Sequence, residues 1–258
     1  MQRVSEAGTS FYRNDGWNDL RHGIFSRHGG VSQSCWNSLN VGASIGDDPE
    51  AVRENHRRMY RALDVNAGRA VSSWLVHSVN VKVVDDEDKL KGNLEKADAI
   101  VTNQPDTPLV MRFADCVPVL LYDPAKHAIG LAHAGWRGAV KGMAGLAVRA
   151  LESAFGCRPE DVQAVIGPAI SRRNYPVGEE VAALARAYFG EDAGVASYDA
   201  DDGSACLDLW RANRLDLERQ GVSNITVLDI CTYDNTDEFY SHRAEKGKTG
   251  RFGVVISL

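Results

Sequence analysis

His77, Cys116 and His133 each follow an apolar run, in WLVH, LVMRFADC and AIGLAH. Runs of this kind read as strands, so the three side chains can meet at one sheet edge. One thiolate and two imidazoles suit Zn2+, with bonds of about 2.3 Å to sulfur and about 2.0 Å to nitrogen. Three protein ligands leave a fourth position for water, the pattern of a catalytic zinc site rather than a structural one. The same spacing also fits a buried structural thiol beside two hydrogen-bonded core histidines, because cysteine is among the most buried residue types.

Asp115 directly precedes Cys116, and Asp98 lies in ADAIVT. A carboxylate beside a ligand can accept the second N–H of a ligating imidazole, or move protons. Either aspartate can equally serve a turn or a cap. Arg137 in HAGWRG stands four residues after His133 and brings a guanidinium within reach of a phosphate or other oxyanion. Trp136 is either a stacking wall for a flat base or part of the core. Arg27 in SRHGG, with Asn37 and Asn40 in WNSLN, either lines a polar pocket or marks surface turns. The stretch EKGKTGRFG is not a phosphate loop of the Walker type, since His242 stands where that motif needs glycine.

The elements that must carry these residues are short. Residues 22–46 are rich in Gly, Ser and Asn and read as brief strands and turns. The stretch DDPEAVRENHRRMYRALDV is a helix, with Asp47 or Asp48 as cap and Pro49 in its first turn. Strands are expected at 71–77, 81–85, 97–102, 109–115, 117–123 and 128–134. A helix is expected over 139–154 despite two glycines, then a strand in QAVIGPAI and a helix over 178–190. ACLDLWRANRLDLERQG reads as a loop leading into a helix closed by Gly221, and ITVLDICTY and FGVVISL read as strands. Strands cluster rather than alternate strictly with helices. This favours an α+β fold, a single domain over residues 1–258, above a doubly wound parallel sheet.

The chain has 258 residues, 44% of them hydrophobic, enough for a full core. Lys and Arg number 29 against 35 Asp and Glu, a net charge of −6 that argues against a general nucleic-acid or anionic-membrane binder but leaves room for a local basic pocket. The first residues lack the apolar core of a secretory signal, and no apolar stretch reaches the roughly 20 residues of a membrane span. A cytoplasmic protein is expected, with its five scattered cysteines as free thiols or ligands.

The motifs HGIFSRHGGVS, WLVHSVNV, KADAIVT, ADCVPVLLYD, HAGWRG, IGPAIS, YPVGEEV, CTY, FYSHR and TGRFG, in this order, resemble the YfiH/YlmD family, also called the laccase-domain or multicopper polyphenol oxidase family. The likeness runs from about residue 22 to 258. One place departs: the family usually has Gln-Val-His-Gly where this chain has Leu75-Val76-His77-Ser78. The resemblance implies a fold of mixed sheets flanked by helices and a zinc site of His77, Cys116 and His133. It implies phosphorolysis of adenosine, inosine, guanosine and methylthioadenosine, and deamination of adenosine, with nucleoside and phosphate as small-molecule partners. Under it His77, Cys116, His133, Asp115 and Arg137 are candidate catalytic residues, and Arg27, Asn40 and Asp98 candidate substrate-binding residues. Members are also described as copper-dependent phenol oxidases and as peptidoglycan-editing factors, which adds copper as a possible metal and a Cys116–His133 thiol hydrolase as an alternative activity. A true laccase needs a histidine-rich trinuclear copper cluster, usually built from HxH pairs, and this chain has seven histidines and no HxH.

Overall fold

The short apolar strands assemble into two mixed sheets packed face to face. The computed structural model describes residues 1–85 and 93–258. Among these, one sheet holds, in spatial order, β1 (Gln2–Glu6), β2 (Thr9–Arg13), β3 (Arg21–Phe25), β15 (Phe252–Ser257), β8 (Leu109–Phe113), β4 (Val71–Trp74) and β6 (Asn93–Lys96). The other holds β14 (Asn224–Val227), β11 (Gln163–Ile166), β9 (Val117–Asp123), β10 (Ala128–Ala134), β7 (Ala99–Thr102) and β5 (Val81–Val83). A small pair, β12 (Ala196–Tyr198) and β13 (Ala205–Leu207), stands apart. Both large sheets mix parallel and antiparallel neighbours, as the expected α+β class requires.

Four layers result. Leu109, Met111, Phe113, Val254 and Ile256 of the first sheet pack against Ile100, Leu120, Ile129, Leu131 and Val165 of the second. The outer face of the first sheet is covered by α1 (Pro49–Leu63), whose Met59, Ala62 and Leu63 meet Phe11, Phe25, Val110 and Val255. The outer face of the second is covered by α3 (Met143–Phe155), α4 (Glu179–Phe189) and α5 (Leu209–Arg219). Central strands buried on both faces lose the alternating pattern and read as continuous apolar runs, which is how β8, β9 and β10 look in sequence.

The first helix starts as expected: Asp48 accepts the Glu50 N–H and Pro49 occupies the first turn. Elsewhere the boundaries differ. The helix expected over 139–154 is broken into a single turn, α2 (Trp136–Ala139), and α3, because Gly142 between them adopts φ +75°. The strand expected through residues 225–233 ends at Val227; from there the backbone turns to the loop after β11, with Leu228 N–H donating to Ile166 O and Thr232 N–H to Ala169 O. The strand expected over 71–77 ends at Trp74, where the register shifts. Residues 205–207, read as loop, form β13. The β1–β2 hairpin is too polar to stand out as a strand pattern.

Three of the chain's passages from one large sheet to the other occur at the same end: β4 to β5, β6 to β7, and β8 to β9. These links contain His77, Asp98 and Cys116 respectively. The glycine-rich segment before α1 is fixed by Asn55, a fully buried residue of that helix. Its Oδ1 accepts from Val31 N–H at 2.9 Å, and its Nδ2 donates to Ser32 Oγ, Ser38 O and Asn40 O at 2.8, 3.1 and 2.7 Å. Replacing Asn55 by Ala strands several buried polar groups at once. The variant is expected to lose about 2–3 kcal/mol of stability, read as a lower urea midpoint with an unchanged slope.

Candidate metal centre and cleft

Asp98 is completely buried, and its two oxygens accept from the backbone N–H groups of Val76, His77 and Ser78 at 3.3, 3.0 and 2.6 Å. They also accept from the Ser78 hydroxyl at 2.8 Å and from His133 Nδ1 at 3.1 Å. The three successive N–H groups form an anion-binding concavity. They hold His77 at φ +56°, a left-handed conformation that costs a non-glycine residue about 1–2 kcal/mol. Ser78, where the resembling family usually has glycine, therefore adds a hydrogen bond that glycine cannot make.

The same carboxylate sets the histidine opposite. His133, near the end of β10, is buried, and its N–H donates to Asp98 O at 2.7 Å. With Nδ1–H on the Asp98 carboxylate, Nε2 is the nitrogen that turns to a metal once its proton is lost. The His133 ring lies 5.0 Å from the His77 ring and 5.4 Å from the Phe113 ring, centre to centre. Cys116 completes the set just before β9. The donor atoms of His77, Cys116 and His133 all lie within 4.8 Å of one another. This thiol-plus-two-imidazole set fits a tetrahedral metal such as zinc with one position open.

Gly135 makes room for the cluster. A Cβ there would sit 2.8 Å from Cys116 Sγ and 3.3 Å from His77 Nδ1, so a side chain would occupy the space where the three donors converge.

Electrostatics favour the thiolate of Cys116 and the protonated form of His133, a proton that a bound metal would displace. Burial pushes the Cys116 thiol up, but the two histidines beside it outweigh burial and bring it down to about 6. Burial lowers His133, whereas the Cys116 thiolate and Asp98 raise it to about 9. For Asp98, burial acts upward, and the hydrogen bonds from His133 and Ser78 prevail, holding it at about 2.

The donor set opens into a cleft of about 530 Å³. Arg112, Arg137, Arg243 and Arg251 line it, with Trp74, Trp136 and Tyr175 as aromatic walls. The Arg137 guanidinium lies over the Trp136 ring at 4.3 Å, and that of Arg243 over Tyr175 at 5.0 Å. None of the four is ion-paired with a carboxylate among the described residues. Asp115 also borders the cleft, yet its oxygens accept from Thr232 Oγ1 at 2.6 Å and from Arg243 N–H at 2.7 Å. Asp115 thus ties the Cys116 link to the segment before β15.

His77, Cys116, His133, Asp115 and Arg137, read from sequence as candidates, are brought together. Asp98 adjoins them as a support beneath the histidines, and does not line the cleft. Arg27 and Asn40 do not reach it. The Arg27 guanidinium lies over the Tyr240 ring and bonds Asn37 O and Glu245. Asn40 is fully buried; its Oδ1 accepts from Gly42 N–H and Arg251 N–H, which shapes one wall from behind. Arg112, Arg243 and Arg251 line the cleft too and are not marked out by the sequence motifs. The available signal was Arg112, a lone charge inside the apolar run LVMRF.

The sequence family described as multi-copper polyphenol oxidoreductase laccase matches residues 21–258. The chain is 36% identical over 244 residues to "Purine nucleoside phosphorylase YlmD" of Bacillus subtilis, covering 92% of this chain and 87% of that protein. It is 36% identical over 236 residues to "Purine nucleoside phosphorylase YfiH" of Escherichia coli, covering 90% and 91%. The crystal structure of YlmD from Geobacillus stearothermophilus superposes with a TM-score of 0.92 at 32% identity, covering 100% of this chain and 97% of that one. An α+β fold of two mixed sheets with a three-donor centre at their shared end is the class. The chain belongs to the laccase-domain family that includes YlmD and YfiH.

Two outcomes test this geometry. Gly135→Ala should lower Zn2+ affinity at least roughly tenfold while the metal-free protein keeps its melting temperature, because the added methyl crowds only the donors. Asp98→Asn should flatten the acid limb of the metal-free protein's stability curve. The native carboxylate is held at about 2 against an ordinary 3.8, so its contribution is complete above pH 3.8 and lost as pH falls toward 2. An unchanged acid slope would refute that role.

Proposed function

We propose that this chain is a zinc-dependent, cytoplasmic enzyme that phosphorolyses adenosine, inosine, guanosine and methylthioadenosine and also deaminates adenosine. The observation that carries this reading is the conjunction, in one cleft, of a thiol-plus-two-imidazole donor set, aromatic walls and four arginines without carboxylate partners among the described residues. The names of the relatives support the phosphorylase part. Zinc held by His77, Cys116 and His133 would supply Lewis acidity that lowers the pKa of water at the site. In phosphorolysis a phosphate oxygen attacks C1′ of the ribose, the C1′–N9 bond breaks with its electron pair going to the purine, and the base leaves after taking up a proton. Arginines of the cleft wall hold the anion and neutralise its charge. In deamination water adds its oxygen at C6 and the amino group departs as ammonia. Asp98 fixes the tautomer of His133 in both reactions, and Asp115 holds Cys116 and Arg243 in register. Trp74 and Trp136 offer flat surfaces to the base. Five unpaired cysteines accord with a reducing compartment, and among the described residues no helix is long and apolar enough to cross a membrane.

A copper oxidase reading fits less well. Reduction of dioxygen by four electrons needs a trinuclear copper cluster rich in histidine, and these donors number three, one of them a thiol. A second reading has a specific observation behind it. The depressed Cys116 thiol beside a raised His133 is the pairing of a thiol nucleophile and its base. In that case the enzyme is a hydrolase acting on an amide, such as a peptidoglycan precursor.

One titration separates the two. Adenosine plus phosphate should yield adenine and ribose 1-phosphate, and adenosine alone inosine. A chelator should abolish at least the deamination, and added Zn2+ should restore it. A thiol nucleophile predicts the opposite sign: stripping the metal frees the thiolate and raises amide hydrolysis. A rise in amidase rate with no nucleoside turnover in any metal state would replace the phosphorylase reading with the hydrolase.

A further inference from the structure

The four cleft arginines are not equivalent. Arg137 and Arg243 are exposed, and each lies against a ring. Arg112 and Arg251 are half-buried in the cleft wall, and burial pushes both guanidinium groups down from their ordinary value. Neither is ion-paired among the described residues. Arg112 Nη2 donates to Ser73 O at 2.9 Å, and Arg251 Nη1 to Gly250 O and Thr249 O at 2.8 and 3.2 Å. Those acceptors are neutral carbonyls. A guanidinium has five N–H donors, so most of the donors on both groups have no protein acceptor among the described residues.

Register brings the two together. Gly253 of β15 pairs with Arg112 of β8. Arg251 lies two residues before Gly253 and therefore on the same sheet face, in the diagonal position where long side chains meet. Two guanidinium groups on one face, partly removed from water, favour an anion near them beyond the pull that Cys116, Asp115 and Glu245 exert on Arg251. The wall is also built to hold one of them. Arg251 N–H donates to Asn40 Oδ1 at 2.8 Å, and a Cβ on Gly42 would lie 2.8 Å from Arg251 Cγ, so glycine there lets the stem pass. Ser73, whose carbonyl orients Arg112, is itself completely buried.

We propose that Arg112 and Arg251 form the inorganic-phosphate subsite of this cleft, and that Arg137 is a rim residue and not the phosphate clamp. The inference rests on the phosphorolysis reading for its substrate, but not for its measurement. The ligand is a tetrahedral oxyanion with several acceptor oxygens, gripped by two planar forks from one wall. The same cleft is lined by the donor cluster and by Trp74 and Trp136, which leaves the nucleoside those surfaces.

The test uses the zinc-loaded protein and titrates it calorimetrically with inorganic phosphate. Arg112→Gln and Arg251→Gln should each weaken phosphate binding roughly tenfold or more, and Arg137→Gln less than about threefold. Arg251→Lys should recover only part of the loss, since one ammonium cannot replace a fork. Wild-type crystals soaked in arsenate need no variant to fold, and should show anomalous density between the two guanidinium groups. Density at Arg137, or unchanged binding in both Gln variants, would overturn the assignment. So would adenosine 5′-monophosphate displacing phosphate and binding more tightly, with the same two variants weakening it, because the occupant would then be a phosphate ester. Phosphate that binds as stated while no adenine forms from adenosine keeps the subsite and removes the phosphorolysis reading. Adenine formed with an unchanged phosphate KM in both variants does the reverse.

Discussion

Asp98 carries its charge with none of its surface in water, and it remains ionised because five hydrogen bonds converge on two oxygens. Such a group is costly if any partner is missing and rigid when all are present. Here the partners are the residues that the chemistry needs: the backbone around His77 on one side and the imidazole of His133 on the other. A single carboxylate thereby holds a histidine in an unfavourable backbone conformation and fixes the tautomer of its neighbour. The position of Cys116 is then determined by β9, which pairs with β10 and places Pro118 opposite His133.

The location of this arrangement follows from the layering. Two sheets facing each other bury apolar side chains between them, and polar groups are tolerated only where the layers end. The chain changes sheets at that end three times, and each passage leaves one key residue there. The long segment before β15 makes the return and contributes Arg243 and Arg251. Backbone at such passages has no ladder to satisfy it, so carboxylates do: Asp98 for one link, and Asp115 for the segment around Thr232 and Arg243. A net negative protein can in this way present a locally cationic cleft.

Much of this was legible in the sequence. The strand that follows Cys116 and the one that carries His133 are legible to both ends, since β9 and β10 are uninterrupted apolar runs. The three donors stood out because each terminated such a run. The role of Asp98 was visible only as one of several, because a buried acceptor and a substrate contact look alike in sequence. Arg27 and Asn40 sit among glycines and polar residues, a context shared by pocket walls and by the internal ties of a loop; only the long-range partners Glu245 and Arg251 tell the two apart. Arg112 and Arg251 become neighbours through a pairing between β8 and β15, strands separated by more than half the chain, and no local pattern carries that information. The break at Gly142 was likewise hidden, since the flanking residues keep an apolar helical pattern on both sides.

The β9–β10 hairpin has its chemistry at the open end and its turn at the other. Seven residues of strand separate Cys116 from the turn at 124–127, a distance of about 23 Å. That turn is secured by its own local bonds, Asp123 Oδ1 accepting from Ala125 and Lys126 N–H at 2.8 and 3.0 Å. Residues there can be lengthened, labelled or tethered to a surface without strain reaching the donors. The hairpin is thus a handle on the molecule, a place from which it can be held or observed while its far end works.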